Sequence, residues 1–362
     1  MDRIIRNVLK TLVDNHYEAY LVGGYVRDYL IGIKSYDVDI CTNALPKDLH
    51  RIFPNNSNSN TYGGFNLKIK NYNIDITTYR RELKYNNRKP IEIEYLNNLE
   101  EDIIRRDFTI NSVCMDVNEK IIDLVDGVKD INNHKIRMLG NIKERLEEDP
   151  LRILRAIRFS SILSFDIDED LDREIVSNYK LVSTLSNTRI KEEINKILLN
   201  KNFKQGLSLL KKYKILDLLN ISYSDDITYI SDISGMWSQI EFPSNFLFTK
   251  QEYSNIIKIR QIVKDGIIDN KTLYNYGLYI SLVSGELLNK NKKEILKMNN
   301  KLPIRDEKDL DIRGNEIIEI LNIEPSKIVS NIKKELIDNI LNNKLKNKNS
   351  ELRKYLMKKA SN

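Results

Sequence analysis

The spacing of apolar residues changes once along this 362-residue chain, and no other feature limits the fold as much. Before about residue 116, apolar residues come in short runs. Ala19–Val22, Tyr36–Ile40, Phe65–Lys70, Tyr72–Thr78, Ile91–Tyr95 and Val113–Asp116 read as strands. A helix over 2–14 precedes them, on Ile4, Ile5, Val8, Leu9 and Leu12. From Asp149 onward apolar residues recur every three or four positions. Helices are predicted at 150–163, 169–182, 189–199, 203–212 and 214–219, with a helical remainder to 359. Clusters of Asn and Lys at 55–60 and 84–89 read as loops. A period of two cannot sit as a helix, nor a period of 3.6 as a strand. The chain is therefore expected to be α+β, with a mixed sheet and helices in front and an all-α remainder.

Composition excludes several classes. Hydrophobic residues make 41% and charged residues 30%, which suits a globular core. No apolar run approaches the roughly 18 residues of a membrane span, and the start has no signal-peptide pattern, so a cytoplasmic protein is expected. Cys41 and Cys114 are too few for a disulfide framework and lack zinc-site spacing. Residues 341–362 hold Lys344, Lys346, Lys348, Arg353, Lys354, Lys358 and Lys359 against Glu351, which accounts for the whole formal net charge of +6. A basic arm on a neutral body is expected to meet a polyanion.

Four segments carry candidate chemistry. In the strand Asp37-Val38-Asp39-Ile40, residues two apart share a face, so both carboxylates point one way and Val38 and Ile40 point to the core. Such a pair either turns to water or is neutralised by a hard divalent cation such as Mg²⁺. Asn73-Ile74-Asp75-Ile76 repeats the pattern, and if the two strands are neighbours three carboxylates converge, as two-metal phosphoryl transfer requires. Gly23-Gly24 precedes a short helix with Arg27 one turn in, a turn whose backbone N–H groups can approach phosphate. Arg105-Arg106-Asp107-Phe108-Thr109-Ile110-Asn111 concentrates charge ahead of a strand.

The fourth segment is Glu148-Asp149-Pro150-Leu151-Arg152-Ile153-Leu154-Arg155-Ala156-Ile157-Arg158. Asp149 as N-cap and Pro150 at N1 start a helix. Leu151, Ile153, Leu154 and Ile157 face inward, while Arg152, Arg155 and Arg158 form a cationic ridge. That ridge is either a solvated face or a reader of bases. An Asp acceptor beside an Arg donor matches cytosine and adenine, which show an amine next to a ring-nitrogen acceptor, and refuses uracil and guanine.

In order and spacing, Leu21-Val22-Gly23-Gly24-x-Val26-Arg27-Asp28, Asp37-x-Asp39, Arg105 to Asn111, Asp123-x₃-Gly127 and Glu148-Asp149-x-x-Arg152 resemble the class II CCA-adding enzymes. These are bacterial-type tRNA nucleotidyltransferases of the DNA polymerase β superfamily, whose head bacterial poly(A) polymerases share. The resemblance extends through Arg189-Ile190-x-x-Glu193-x-x-Lys196 and is thin over 201–300. It returns at Asp309-Leu310-x₃-Gly314, where the usual Pro-Gly is replaced by Asn315-Glu316. Tyr62-Gly63-Gly64-Phe65 also departs from the family pattern, and with only His16, His50 and His134 in these 362 residues no metal-dependent phosphatase side activity of the His-Asp phosphohydrolase type is expected.

The resemblance implies a polymerase-β-type nucleotidyltransferase head at 1–140, a helical neck at 141–200 with a base-selecting helix, a helical body at 201–300 and a tRNA-binding helical tail at 301–362. It implies Asp37 and Asp39 as catalytic Mg²⁺ ligands, to which our own reading adds Asp75 as a catalytic residue. Gly24, Arg27 and Arg106 would hold triphosphate and ribose, with Asp107 and Asn111 beside them. Asp149 and Arg152 would read the base, supported by Arg155 and Arg158. The implied reaction is template-free addition of CCA to tRNA 3′ ends from CTP and ATP. The alternatives are a poly(A) polymerase, a CC-adding or A-adding partial enzyme, or a catalytically silent RNA-binding relative. The length of the segment Arg80–Ile93 favours the complete activity.

Overall fold

A computed structural model describes residues 1–54, 58–59, 64–86, 89–244, 246 and 248–360. The chain forms two compact units, Met1–Leu219 and Asn220–Asn362. The first is built on a seven-stranded sheet ordered β3-β4-β5-β2-β1-β8-β9. Its strands are β1 (Ala19–Val22), β2 (Asp37–Thr42), β3 (Asn58–Ser59), β4 (Gly64–Ile69), β5 (Tyr72–Thr78), β8 (Cys114–Met115) and β9 (Ile121–Ile122). β2 and β5 are parallel, and every other pairing in the sheet is antiparallel.

The register follows the side chains. Val38, Ile40, Ile74 and Ile76 are at most 1% exposed, so the opposite faces of β2 and β5 carry the aspartates. Helix α1 (Arg3–Asp14) adds Ile5, Val8, Leu9 and Leu12 to the core, and the Asp2 carboxylate caps it by accepting the Ile4 N–H at 2.8 Å. Helix α2 (Gly24–Leu30) leaves the end of β1, and α3 (Pro46–Ile52) follows β2.

Strands β6 (Arg80–Asn86) and β7 (Lys89–Tyr95) pair with each other outside the main sheet. The loop expected at 84–89 and the segment 80–93 are thus largely an antiparallel ladder, except that Asn87 and Arg88 lie outside the described residues. The Lys- and Asn-rich composition hid these strands, because β pairing depends on the partner strand more than on intrinsic preference. Most of the expected loop at 55–60, and Tyr62-Gly63 of the departing segment, also lie outside the described residues.

Helices then take over: α4 (Leu99–Ile104), α5 (Gly127–Asn132), α6 (Ile142–Glu148), α7 (Leu151–Leu163), α8 (Glu169–Asn178), α9 (Asn187–Leu198), α10 (Phe203–Lys212) and α11 (Ile215–Leu218). The first unit runs on past residue 200 to Leu219. Helix α10 packs on α7 and α9 through Gly206, where a Cβ would meet Ile197 Cγ2 at 2.3 Å, so only glycine permits that approach.

The second unit is helical, with α12 (Ile233–Ser238), α13 (Lys250–Asp265), α14 (Asn270–Leu287), α15 (Lys292–Asn300), α16 (Gly314–Leu321), α17 (Lys327–Leu341) and α18 (Asn349–Ala360) as its helices. Two short strands, Ser222–Tyr223 and Ile240–Glu241, pair within it. The basic arm is not a free arm. Leu352 and Leu356 of α18 are fully buried with Ile317, Leu336 and Ile340, while Arg353 pairs with Glu316 and Lys359 with Glu335. Glu316, which stands where the family has a glycine, caps α16 by accepting the Arg313 N–H at 2.9 Å and also holds Asn349. Removing residues beyond 341 would therefore cut into a core. No helix among the described residues is long and apolar enough to cross a membrane.

Candidate active site

The first unit contains a cleft of about 570 Å³ lined by Gly23, Gly24, Arg27, Asp39, Arg80, Arg105, Arg106, Asp107, Asn111, Asp149, Leu151, Arg152, Arg155, Phe159 and Arg189. Segments far apart in the chain meet there because β1 lies beside β2 and α7 follows α6 directly. Nine of the twelve expected site residues line it: Gly24, Arg27, Asp39, Arg106, Asp107, Asn111, Asp149, Arg152 and Arg155. Asp37, Asp75 and Arg158 are not part of the lining.

The floor is acidic. Asp39 and Asp75 are register partners across the parallel β2–β5 pair, and Asp37 is one pleat away on the same face. Asp75 Oδ1 accepts the Asn66 side-chain amide at 2.6 Å. Partial loss of hydration pushes the Asp39 carboxyl above the usual range. Arg106 opposes that shift, and Asp75 and Asp37 add to it. Gly23 (φ +77°) is the residue that lets the turn close over this acid, since a Cβ there would stand 2.7 Å from Asp39 Oδ2.

No group of three or more His, Cys, Asp or Glu placed to hold a metal occurs among the described residues. Mg²⁺ needs fewer. It usually takes one or two carboxylates and completes its shell with water and substrate phosphates, and Asp37 and Asp39 offer hard oxygens on one face of β2, where Asp37 and Asp75 still push the Asp39 carboxyl up although Arg106 opposes them. The residues present fit such an ion.

The walls are cationic and preorganised. Arg27 donates to Asn111 Oδ1 at 2.7 Å and to Asp28 Oδ1 at 2.9 and 2.6 Å, which still leaves an N–H on each terminal nitrogen for an anion. Asp102, wholly buried outside the cleft, accepts from Arg105 at 2.6 and 2.9 Å and from Arg106 at 3.0 Å. Burial would raise its carboxyl, but the two guanidiniums hold it below the ordinary range. Asp107 holds Arg155 through two N–H donors, one at 2.7 Å, and its carboxyl is likewise kept low against its burial. Asp107 thus acts on Arg155 within the site. Arg158 pairs with buried Glu193 at 3.0 Å and lies over the Phe159 ring, which Arg27 and Arg155 also face.

Helix α7 begins at Leu151, with Pro150 already helical (φ −58°, ψ −13°). Asp149 is extended and accepts the Leu151 N–H at 3.3 Å, so its side chain caps the helix from two residues ahead of Leu151, across Pro150. The solvated-face reading of the ridge fails. Arg152 is 11% and Arg158 12% exposed, and each has an acidic partner, Glu148 and Glu193. Sequence reasoning did not select Gly23, Arg80, Arg105, Phe159 or Arg189 as site residues. Arg189 was legible as part of the Arg189-x₃-Glu193 motif, and it reaches Asp149 at 3.5 Å.

A cleft that combines an acidic floor, a glycine turn and this density of guanidiniums is made for a nucleoside triphosphate, and the class it defines is the nucleotidyltransferases. Residues 19–137 match the poly A polymerase head domain, 164–221 the "Probable RNA and SrmB-binding site of polymerase A", and 242–356 a tRNA nucleotidyltransferase domain 2. The CCA-adding enzyme of Ligilactobacillus salivarius is 36% identical over 307 residues, 77% of this chain and 76% of that protein. The CCA-adding enzyme of Lactobacillus helveticus is 39% identical over 204 residues, 56% of this chain and 51% of that one. The chain belongs to the CCA-adding enzyme family. The crystal structure of the Bacillus stearothermophilus CCA-adding enzyme, solved with CTP, superposes with a TM-score of 0.87 at 25% identity, covering 100% of this chain and 98% of that one. Nucleotidyltransferases of this family generally use divalent metals.

Proposed function

We propose that this protein adds CCA to tRNA 3′ ends without a nucleic-acid template, using CTP and ATP and releasing pyrophosphate. The observation that carries the reading is the junction, in one cleft, of the Asp39 floor, the arginine walls and the pair Asp149 and Arg152 at the start of α7. The complexes of related enzymes with CTP, with ATP and with tRNA support it.

In this reading Arg27, Arg105 and Arg106 bind the triphosphate, and their fixed partners Asp28, Asn111 and Asp102 spare the cost of ordering them. The Asp149 carboxylate accepts the exocyclic amine of C or A, and an Arg152 N–H donates to the neighbouring ring nitrogen. Uracil and guanine present a donor to the guanidinium and a carbonyl to the carboxylate. The RNA 3′ hydroxyl attacks the α-phosphorus in line, next to Asp39 and Asp75, and pyrophosphate leaves along the arginine wall. Mg²⁺, held by Asp37 and Asp39, would supply activation of the attacking hydroxyl and neutralisation of the leaving oxygens.

The decisive experiment incubates the protein with tRNA lacking CCA and labelled CTP or ATP, separately and together. Two cytidines with CTP alone and a terminal adenosine only after them are expected. A run of adenosines from ATP alone would mean a poly(A) polymerase, addition of only C or only A from the mixture a partial enzyme, and no incorporation a silent relative.

Asp39→Asn tests the floor. Because the folded-state pKa of Asp39 lies above its unfolded value, the ionised form opposes folding, and the protein regains that stability only as pH falls. The variant should lose incorporation by about a hundredfold or more, yet melt no lower than the parent at neutral pH. A lower melting temperature with activity retained would reverse the assignment.

A further inference from the structure

We infer that Arg145 is a positioning residue that couples recognition of the base to the grip on the triphosphate. This rests on the CCA-adding reading and extends it to a side chain outside the cleft lining. Arg145 lies on α6, and its Nη2 donates to three consecutive main-chain oxygens, those of Ile104 at 3.3 Å, Arg105 at 2.5 Å and Arg106 at 2.6 Å. These carbonyls form the C-terminal end of α4, where a cation is favoured by the helix dipole and satisfies acceptors that the helix leaves open. The turn so held carries Arg105 and Arg106, whose guanidiniums Asp102 fixes from the other direction.

The same residue also touches the base-reading side. The main-chain oxygen of Arg145 accepts from Arg152 Nη1, and Glu148 Oε2 accepts from both Arg145 Nη1 at 3.4 Å and Arg152 Nη1 at 3.2 Å. Arg145 therefore bonds the triphosphate turn through its guanidinium and the base-reading arginine through its backbone and their shared carboxylate. A base that draws Arg152 into place loads the link to residues 104–106, and a mismatched base does not. Lysine cannot substitute, because a single ammonium seated on these carbonyls cannot also reach Glu148, as the second terminal nitrogen of the guanidinium does.

The test compares the parent, Arg145→Lys, Arg152→Ala and the double variant on tRNA lacking CCA. The readouts are CTP-to-UTP selectivity, inhibition by inorganic pyrophosphate and melting temperature. Pyrophosphate reports the triphosphate end alone. Arg145→Lys should narrow the CTP-to-UTP ratio by about tenfold, weaken pyrophosphate inhibition, and add little further loss of selectivity in the Arg152→Ala background. A merely structural role would lower the melting temperature while scaling all nucleotides equally, with additive effects and unchanged pyrophosphate inhibition, and that result overturns the inference. Should Arg145→Lys fold poorly, Glu148→Gln decides. A narrowed ratio with intact pyrophosphate inhibition supports the coupling, and an unchanged ratio refutes it. A parent protein that fails to extend tRNA would overturn the CCA-adding reading itself, whereas an active parent with an indifferent Arg145→Lys overturns only the coupling.

Discussion

Helices α7 and α18 both place cations at nearly every turn, but they use them in opposite ways. On α7, Arg152, Arg155 and Arg158 are largely enclosed and each is bound to an acid, Glu148, Asp107 or Glu193. On α18 and the segment before it, Lys344, Lys346, Lys348, Lys354 and Lys358 are exposed, and among the described residues of the basic run only Arg353 and Lys359 form ion pairs with other helices. The apolar faces differ less, for both helices bury leucines completely. Charge density therefore says little about what a helix does. What distinguishes the two is whether carboxylates from other elements arrive to fix the cations. Fixed guanidiniums can meet a nucleotide without being ordered first, whereas solvated lysines can meet an RNA backbone in many arrangements.

The contrast can be broken most severely at the core of α18. Leu352→Ala, at a fully buried position, should cost about 2–5 kcal/mol, read as a lowered urea midpoint. A neutral effect would restore the view of 341–362 as a tail. The next effect is at the acid that fixes α7. Asp107→Ala leaves Arg155 partly buried without its hydrogen-bonded carboxylate, and since the pair is 15% and 33% exposed the expected loss is about 2 kcal/mol, below that of a fully buried pair. Asp107 has a depressed folded pKa, so its contribution is complete above the unfolded carboxylate pKa and fades as pH falls through the folded value. Parent and variant should accordingly converge in stability on acidification, and a pH-independent gap would point to packing alone. The smallest effect on stability belongs to the exposed lysines. Lys354→Gln with Lys358→Gln should change stability by no more than about 0.5 kcal/mol. If these lysines meet tRNA phosphates, the slope of log affinity against log salt should flatten by roughly 0.7–0.9 for each phosphate no longer neutralised, and an unchanged slope would place the RNA elsewhere.

Much of the site was legible before the fold. Asp37-x-Asp39, Gly23-Gly24 with Arg27, the Arg105 to Asn111 segment and the capped arginine helix are local patterns, each needing only a period of two, a turn or a period of 3.6 to be read. Residues whose role is to hold another residue escaped. Asp102 and Arg145 sit 3 and 40 positions from Arg105, whose side chain or main chain they bond, and nothing in their own neighbourhoods sets them apart from surface charges. The ladder of β6 and β7 escaped for a related reason, since its strands are defined by each other.

What the sequence by itself determined is the division into an α/β front and a helical remainder, because apolar period is a property of successive residues. It also determined that Asp37 and Asp39 share a face and that a helix starts at Asp149 and Pro150. Only the tertiary structure decided that β5 lies parallel beside β2 and sets Asp75 against Asp39, and that α10 joins the first unit through Gly206. It alone turned one basic run into the wall of a cleft and the other into the outer face of a packed helix. Strand order, close approach and ion pairing are settled by which surfaces bury together, and that depends on residues distant in sequence competing for the same neighbours.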